Sequence, residues 1–159
     1  MAQGKKELDN FYKQPDPWGY KTNPDDIFRK KKILEILGDN KYENALDVGA
    51  GEGWITKDLP AKNLYAYEIS DVATKRLPSN VKVYNGEGNM DLVIATGVLY
   101  NQYDSEGMAQ LIKDTATKHV LICGIKDWLL SYEFGKVLKE TEFVYRNYIQ
   151  RFTLYEIIT

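Results

Sequence analysis

One cysteine and one histidine in 159 residues remove several chemistries at once. Cys123 has no partner for an internal disulfide. It sits in an apolar run, where a thiol packs as a small hydrophobe. One imidazole and one thiol do not make a zinc site. Long apolar runs are missing too. Nothing approaches the ~20 residues of a membrane span, and Met1 to Glu7 leads into no apolar stretch of the signal-peptide kind. An excess of one charge is also lacking: 21 basic residues face 23 acidic ones, for a net charge of −2. Nucleic-acid binding, which leaves a basic footprint, is therefore not expected. These absences point to a cytoplasmic chain, not a membrane one, with a single sizeable core.

Tyrosine is plentiful, with twelve copies that suit strand faces and pocket walls. Glycine is concentrated in one pattern. Ala45-Leu46-Asp47-Val48-Gly49-Ala50-Gly51-Glu52-Gly53-Trp54-Ile55 reads as a short buried strand, three alternate glycines and the first turn of a helix. Glycine there permits φ > 0 and leaves no Cβ between a ligand and the main chain. A helix opening just afterwards offers unpaired N–H groups. Two phosphate-binding loops are excluded. A dinucleotide G-x-G-x-x-G needs its third glycine where Trp54 stands, and no Lys-Ser or Lys-Thr pair follows for a G-x-x-x-x-G-K-[ST] loop. What remains is D-x-G-x-G-x-G, with a second acid, Glu68, closing the next strand.

This arrangement resembles motif I and the following acidic motif of the class I S-adenosylmethionine (SAM) methyltransferases. The resemblance implies that Asp47, Gly49, Ala50, Gly51 and Gly53 form a turn under the methionine end of SAM. It also implies that Glu68, followed by Ile69, binds the ribose hydroxyls. The chemistry agrees, since a carboxylate accepts both donors of a diol.

Residues 1–23 carry no clean periodicity but include Phe11, Tyr12, Trp18 and Tyr20. Pro-Asp-Pro-Trp at 15–18 is a stiff extended segment presenting an aromatic. It reads either as a tail packed on the core or as a lid over a pocket. The domain proper spans 24–159. Asn23-Pro24-Asp25-Asp26 reads as a helix start. That helix runs to about Leu37, with Ile27, Leu34 and Leu37 buried, Arg29 to Lys32 solvated and Gly38 ending it. From Asn44 strands alternate with helices, which signals a parallel sheet. The pattern places strands at about 45–49, 64–68, 81–84, 91–96 and 119–125, and helices near 53–59, 71–77 and 105–117, the last capped by Ser105. A helix over 128–139 then leads to antiparallel strands at 142–146 and 150–158. This order of elements is that of the methyltransferase family. It implies a Rossmann-like three-layer α/β sandwich whose mostly parallel seven-stranded sheet runs 3-2-1-4-5-7-6.

Asp16-Pro17-Trp18-Gly19-Tyr20, Asp91-Leu92-Val93-Ile94 and Val98-Leu99-Tyr100 resemble the nodulation N-methyltransferase group. That group usually has an acid before Val-Leu-Tyr, where Gly97 stands here. The chain is also pared down. Only Asn85 to Met90 join the third strand to the fourth. Crossing three strand spacings covers about 14 Å and returning along a strand about 15 Å more, so the straight path is about 20 Å against about 24 Å of extended chain. The expectation is a short third strand, a taut link and no helix in it. In the family this link supplies the adenine contact, which leaves Gly86, Glu87, Gly88 and Asn89 as candidates.

Ligands bind outside the carboxyl ends of parallel strands. That edge collects the glycine turn, Glu68, residues 85–89, Thr96 to Tyr103, and Lys126 to Trp128. His119 opens its strand and falls at the opposite edge. Methyl transfer needs a protein base only when the acceptor must first lose a proton. Tyr100, Asn101, Tyr103 and Asp127 are the candidates near the methyl group, joined by Trp18 and Tyr20 if the tail folds over. The expected activity is SAM-dependent methylation of a small-molecule substrate, with an amine as the named acceptor. The alternative is a non-catalytic SAM-binding protein or partner subunit. A nicotinamide dehydrogenase is disfavoured by Trp54 and the antiparallel C-terminal pair.

Overall fold

Alternation within the central strands sets the layers. In Leu92-Val93-Ile94-Ala95 every side chain is buried, because odd and even positions meet cores on opposite faces. A computed structural model describes residues 4–158 of the chain. Met1–Gln3, at the start of the N-terminal segment, and Thr159, at the end of the domain, lie outside the described residues.

Strands β1 (Tyr42–Val48), β2 (Ala61–Tyr67), β3 (Val81–Val83), β4 (Met90–Thr96), β5 (Ala116–Ile125), β6 (Lys136–Tyr145) and β7 (Tyr148–Glu156) form one sheet. Its order is β3-β2-β1-β4-β5-β7-β6. The first five strands are parallel, and β7 runs antiparallel between β5 and β6. Helices α1 (Lys5–Phe11), α2 (Pro24–Leu37), α3 (Asp71–Thr74) and α4 (Ser105–Thr115) flank it. One core holds Ile33 and Leu37 of α2 with Leu92, Ile94, Leu121 and Phe152. The other holds Ala109 and Ile112 of α4 with Val48, Val93, Val120 and Phe134. This is the expected three-layer sandwich. The third strand has three residues, and no helix occupies 85–90. No helix among the described residues is long and apolar enough to cross a membrane.

Several elements depart from expectation. Residues 53–59 form turns and a 3-10 turn at Thr56–Asp58, not a regular helix, with Pro60 close behind. α3 stops at Thr74, and tighter i→i+3 bonds carry the chain to Leu77 ahead of Pro78. Asp104, not Ser105, caps α4 by accepting the Gly107 N–H. The helix expected over 128–139 is absent. Extended chain carries Tyr132 and Phe134 into the second core, and β6 begins at Lys136, earlier than 142. Gly135 explains part of this: at φ 143° it lies where a Cβ would come within 2.1 Å of the Glu156 carbonyl oxygen. α1 forms within the segment read as aperiodic.

α2 starts as expected, with the Asn23 side chain accepting the Asp25 N–H at 2.9 Å and Pro24 following. Its inward stripe is different. Ile27 is 49% exposed, Leu34 is half-buried, and Asp26 and Arg29 are buried beside Ile33, Ile36 and Leu37. Arg29 is thus not part of a solvated basic run.

Candidate functional site

Strands β1, β2, β4 and β5 deliver their carboxyl ends to one cavity of about 610 Å³, where an open parallel sheet holds ligands. At the β1 tip Gly49, Gly51 and Gly53 take φ values of 77°, 59° and 79°, a region costly for residues with a Cβ. The turn is pinned by the Gly49 N–H, which donates to the Tyr67 carbonyl at 2.8 Å. Glu68, just past β2, accepts the Gly51 N–H at 2.8 Å and the Ser70 N–H at 3.0 Å. Burial raises its pKa, and these backbone bonds oppose the shift.

Asp47 is 2% exposed. One oxygen accepts the Thr56 hydroxyl at 2.7 Å, and the other has no partner among the described residues. Burial pushes its pKa up to about 7, opposed by the Thr56 bond and the Arg29 charge. Arg29, 4% exposed, lines the same cavity between the rings of Tyr20 and Tyr145, at 5.2 and 5.8 Å. Its Nε is 3.5 Å from Asp26 and has no hydrogen-bond partner among the described residues. Asp26 is committed elsewhere, accepting the Tyr145 hydroxyl at 2.6 Å and the Arg146 guanidinium at 2.5 Å.

The far end of the cavity is aromatic. The Tyr100 hydroxyl oxygen accepts the Ile125 N–H at 2.7 Å, and burial lifts its pKa to about 12. Tyr100 is therefore a neutral phenol near pH 7. Tyr103 stacks on it at 6.5 Å, Trp128 meets it edge-on at 5.7 Å, and Tyr148 tilts against Trp128 at 5.0 Å. Gln150 of β7, 4% exposed, lines this end, and its Oε1 has no partner among the described residues.

Residues 5–22 close one side. Trp18 stacks between Phe11 and Tyr20, and Tyr20 stacks on Trp54. The segment is tied to the domain along its length, beginning with the Lys5–Asp71 ion pair at 2.7 Å. Asp9 accepts the Ser70 hydroxyl at 2.6 Å, and Glu52 accepts the Asp16 N–H at 2.7 Å. Arg76 reaches both Glu52 and the Lys13 carbonyl, and Arg146 reaches the Trp18 carbonyl. The Tyr12 hydroxyl lies 2.6 Å from where a Gly51 Cβ would be.

Of the residues singled out from sequence, Asp47, Gly49, Ala50, Gly51, Glu68, Ile69, Thr96, Trp18, Tyr20, Tyr100 and Tyr103 line the cavity. Gly53 is buried behind it, where a Cβ would press on Leu77 and Pro78. Glu87, Asn89, Asn101 and Asp127 are exposed and outside its lining. The β3–β4 link bonds within itself: the Tyr84 hydroxyl donates to the Gly88 carbonyl and the Glu87 N–H to Asn85. His119 is buried at the opposite sheet edge, its Nδ1 2.7 Å from the Tyr42 hydroxyl. Sequence reasoning missed Arg29, Gln150 and Arg146. Arg29 did carry a signal, since Asp26, Arg29 and Ile33 recur at helical spacing on one stripe. Gln150, one polar residue in a strand, carried none.

No protein-family profile matches the sequence, and no curated protein matches it either. Solved structures do. The N-methyltransferase NodS of Bradyrhizobium japonicum, in complex with S-adenosyl-L-homocysteine (SAH), superposes with a TM-score of 0.82 at 16% identity, covering 98% of both chains. The NodS crystal structure described without SAH gives 0.71 at 14% identity, covering 87% of this chain and 99% of that one. Magnesium protoporphyrin IX methyltransferase of Synechocystis with bound SAM gives 0.63 at 14% identity, covering 99% and 86%. The chain has the fold of the class I SAM-dependent methyltransferases.

Proposed function

We propose that the chain is a SAM-dependent methyltransferase acting on a small-molecule amine. One observation carries the cofactor: Asp47 Oδ1 and Arg29 Nε, two buried groups on one cavity, have no hydrogen-bond partner among the described residues. A buried polar atom without a hydrogen bond is costly. The amino-acid end of SAM would answer both, its ammonium at Asp47 and its carboxylate at Arg29. Glu68, one strand away, is placed for the ribose diol, and the glycine turn keeps Cβ atoms out of the space between. The residues present thus fit the cofactor.

When bound, SAM supplies a methyl group on a sulfonium, already activated for displacement. The chain's own part is to hold the acceptor in line and to exclude water. Residues 5–22 suit the second task as a lid. At the far end Tyr100 is neutral and holds its oxygen toward the Ile125 N–H, so it is not poised as a base. An amine that arrives neutral needs none, because its lone pair attacks first and its proton leaves afterwards. The N-methyltransferase among the structural neighbours favours nitrogen. A cavity of about 610 Å³, in the ~300–1,000 Å³ range of small-ligand sites, favours a small acceptor.

Calorimetric titration with SAH, followed by incubation with methyl-labelled SAM and an amine panel, tests this reading. Binding in the micromolar range and label on an amine are expected. SAH binding with no turnover would favour a non-catalytic SAM-binding or partner subunit, a reading encouraged by Glu87 and Asn89 lying off the cavity. No SAH heat at millimolar ligand would remove both.

A further inference from the structure

Among the described residues three buried side-chain polar atoms lack hydrogen-bond partners, and all three belong to residues lining the cavity. The amino-acid end of the cofactor accounts for two. The third, Oε1 of Gln150, belongs to a different element, β7. Gln150 pairs with Ile125 at the β5 terminus, three strands from the glycine turn in the order β1-β4-β5-β7. That spacing is about 14 Å, so the acceptor and not the cofactor would meet it.

The surroundings of Gln150 define what fits. Trp128, Tyr148, Tyr100 and Tyr103 give flat apolar walls, which suit an offset-stacked ring. A lone buried carbonyl oxygen calls for an N–H or O–H donor. Negative charge is not on offer. Asp26, the buried acid on this side, is shared among Arg29, Arg146 and Tyr145, and Asp104 caps α4. An ammonium entering here would find no free counter-charge and would face the Arg146 guanidinium, at a high cost. An alkylamine is protonated at neutral pH, as the lysine side chain is. An aromatic amine, whose lone pair is shared with its ring, is neutral.

We propose that the acceptor is a neutral aromatic amine, its ring against Trp128 and Tyr148 and one N–H donated to Gln150 Oε1. This rests on the methyltransferase reading above. Gln150 is then a positioning residue: taking one N–H fixes the rotation of the amino group and leaves the lone pair aimed along the cavity. On transfer the nitrogen forms the new C–N bond, the C–S bond breaks with its electron pair going to sulfur, and the nitrogen gives its extra proton to water.

The test titrates SAH-saturated protein with three probes, 3-aminoquinoline, quinoline and cyclohexylmethylamine. One buried hydrogen bond predicts that 3-aminoquinoline binds about tenfold tighter than quinoline. It should also outbind cyclohexylmethylamine by at least that factor. Gln150→Leu should erase the gap between the two aromatic probes, while its SAH affinity reports an intact fold. Gln150→Glu, of the same shape but charged, should turn the preference toward cyclohexylmethylamine, and it stands in if the leucine variant does not fold. The proposal is overturned if 3-aminoquinoline does not bind, if the alkylamine binds as well, or if Gln150→Leu keeps the tenfold gap. A wild-type protein that ignores SAH would instead remove the cofactor reading, and the same titrations without SAH would then judge the Gln150 site by itself.

Discussion

At the β1–β2 end of the cavity the lining is largely main chain, a glycine turn held by backbone N–H bonds to the Tyr67 carbonyl and the Glu68 carboxylate. At the β5–β7 end it is side chains: Tyr100, Tyr103, Trp128, Tyr148 and Gln150, gathered from two loops and a hairpin. The first end is set by torsion angles, so almost any substitution there is an error in the fold. The second is set by side-chain shape, so substitutions there retune what fits. The largest expected effect should therefore come from the turn. Gly49→Val places a Cβ within 2.4 Å of Val98 Cγ1 at φ 77°, where strain alone costs about 1–3 kcal/mol. Loss of measurable SAH binding by calorimetry and a lower melting temperature are expected. Retained affinity would mean that the turn is not the seat of the cofactor.

Asp47 gives the next effect, through pH. Its folded pKa stands near 7, above the ordinary 3.8, so the folded chain holds a proton that the unfolded chain has released. Its contribution to stability is full below about pH 4, falls as pH rises to 7 and is flat above. The loss across that whole window is on the order of 4 kcal/mol for the empty protein. Denaturant melts at pH 5 and pH 8 measure it, and Asp47→Asn should flatten the difference. SAH affinity should move the other way, rising through pH 7 as the carboxylate ionises to meet an ammonium.

Much of the first end was legible in the sequence because it is local. Asp47 to Gly53 are contiguous, and their alternate glycines state a backbone requirement that any reader of φ angles can see. Strand order followed from the family resemblance and from the short final loop. The other end could not be read in the same way. Gln150 joins Tyr100 and Trp128 in one cavity lining only because β7 inserts between β5 and β6, and no local pattern announces that. The helix expected over 128–139 failed for a related reason. Its residues have ordinary helical propensity, but Tyr132 and Phe134 are claimed by the second core, and Gly135 must pass close to Glu156. Arg29 lies between these cases, since its place in the run Arg29-Lys30-Lys31-Lys32 hides the helical stripe it shares with Asp26 and Ile33.

Arg29 also sharpens the contrast between the two ends, since it touches rings of both the N-terminal segment and the hairpin. Arg29→Met should weaken SAH binding by about 2–4 kcal/mol, the usual cost of losing one partner of a buried charge pair. Methylthioadenosine, which has no carboxylate, should bind both proteins equally. Asp26 keeps Tyr145 and Arg146 in the variant, so the fold should survive. Equal losses for both ligands would assign Arg29 to structure alone.

The smallest effect belongs to the ties of residues 5–22. Arg76 is 30% exposed and donates to Glu52 at 3.0 Å and to the Lys13 carbonyl at 3.3 Å. Half-exposed ion pairs contribute little, about 0.2–1 kcal/mol, so Arg76→Ala should barely move the melting temperature. If the segment is a lid, the variant should act on rates instead. Its closed state loses the bond to the Lys13 carbonyl that an open state never had, whereas the bond to Glu52 lies within the domain and is lost from both states. SAH should therefore leave faster by a few-fold while its arrival rate stays the same. Stopped-flow displacement of SAH, read from Trp18 and Trp54 fluorescence, separates the two rates. An unchanged departure rate would make residues 5–22 a fixed wall of the cavity, and the protein would then have to exchange its ligand through the aromatic end.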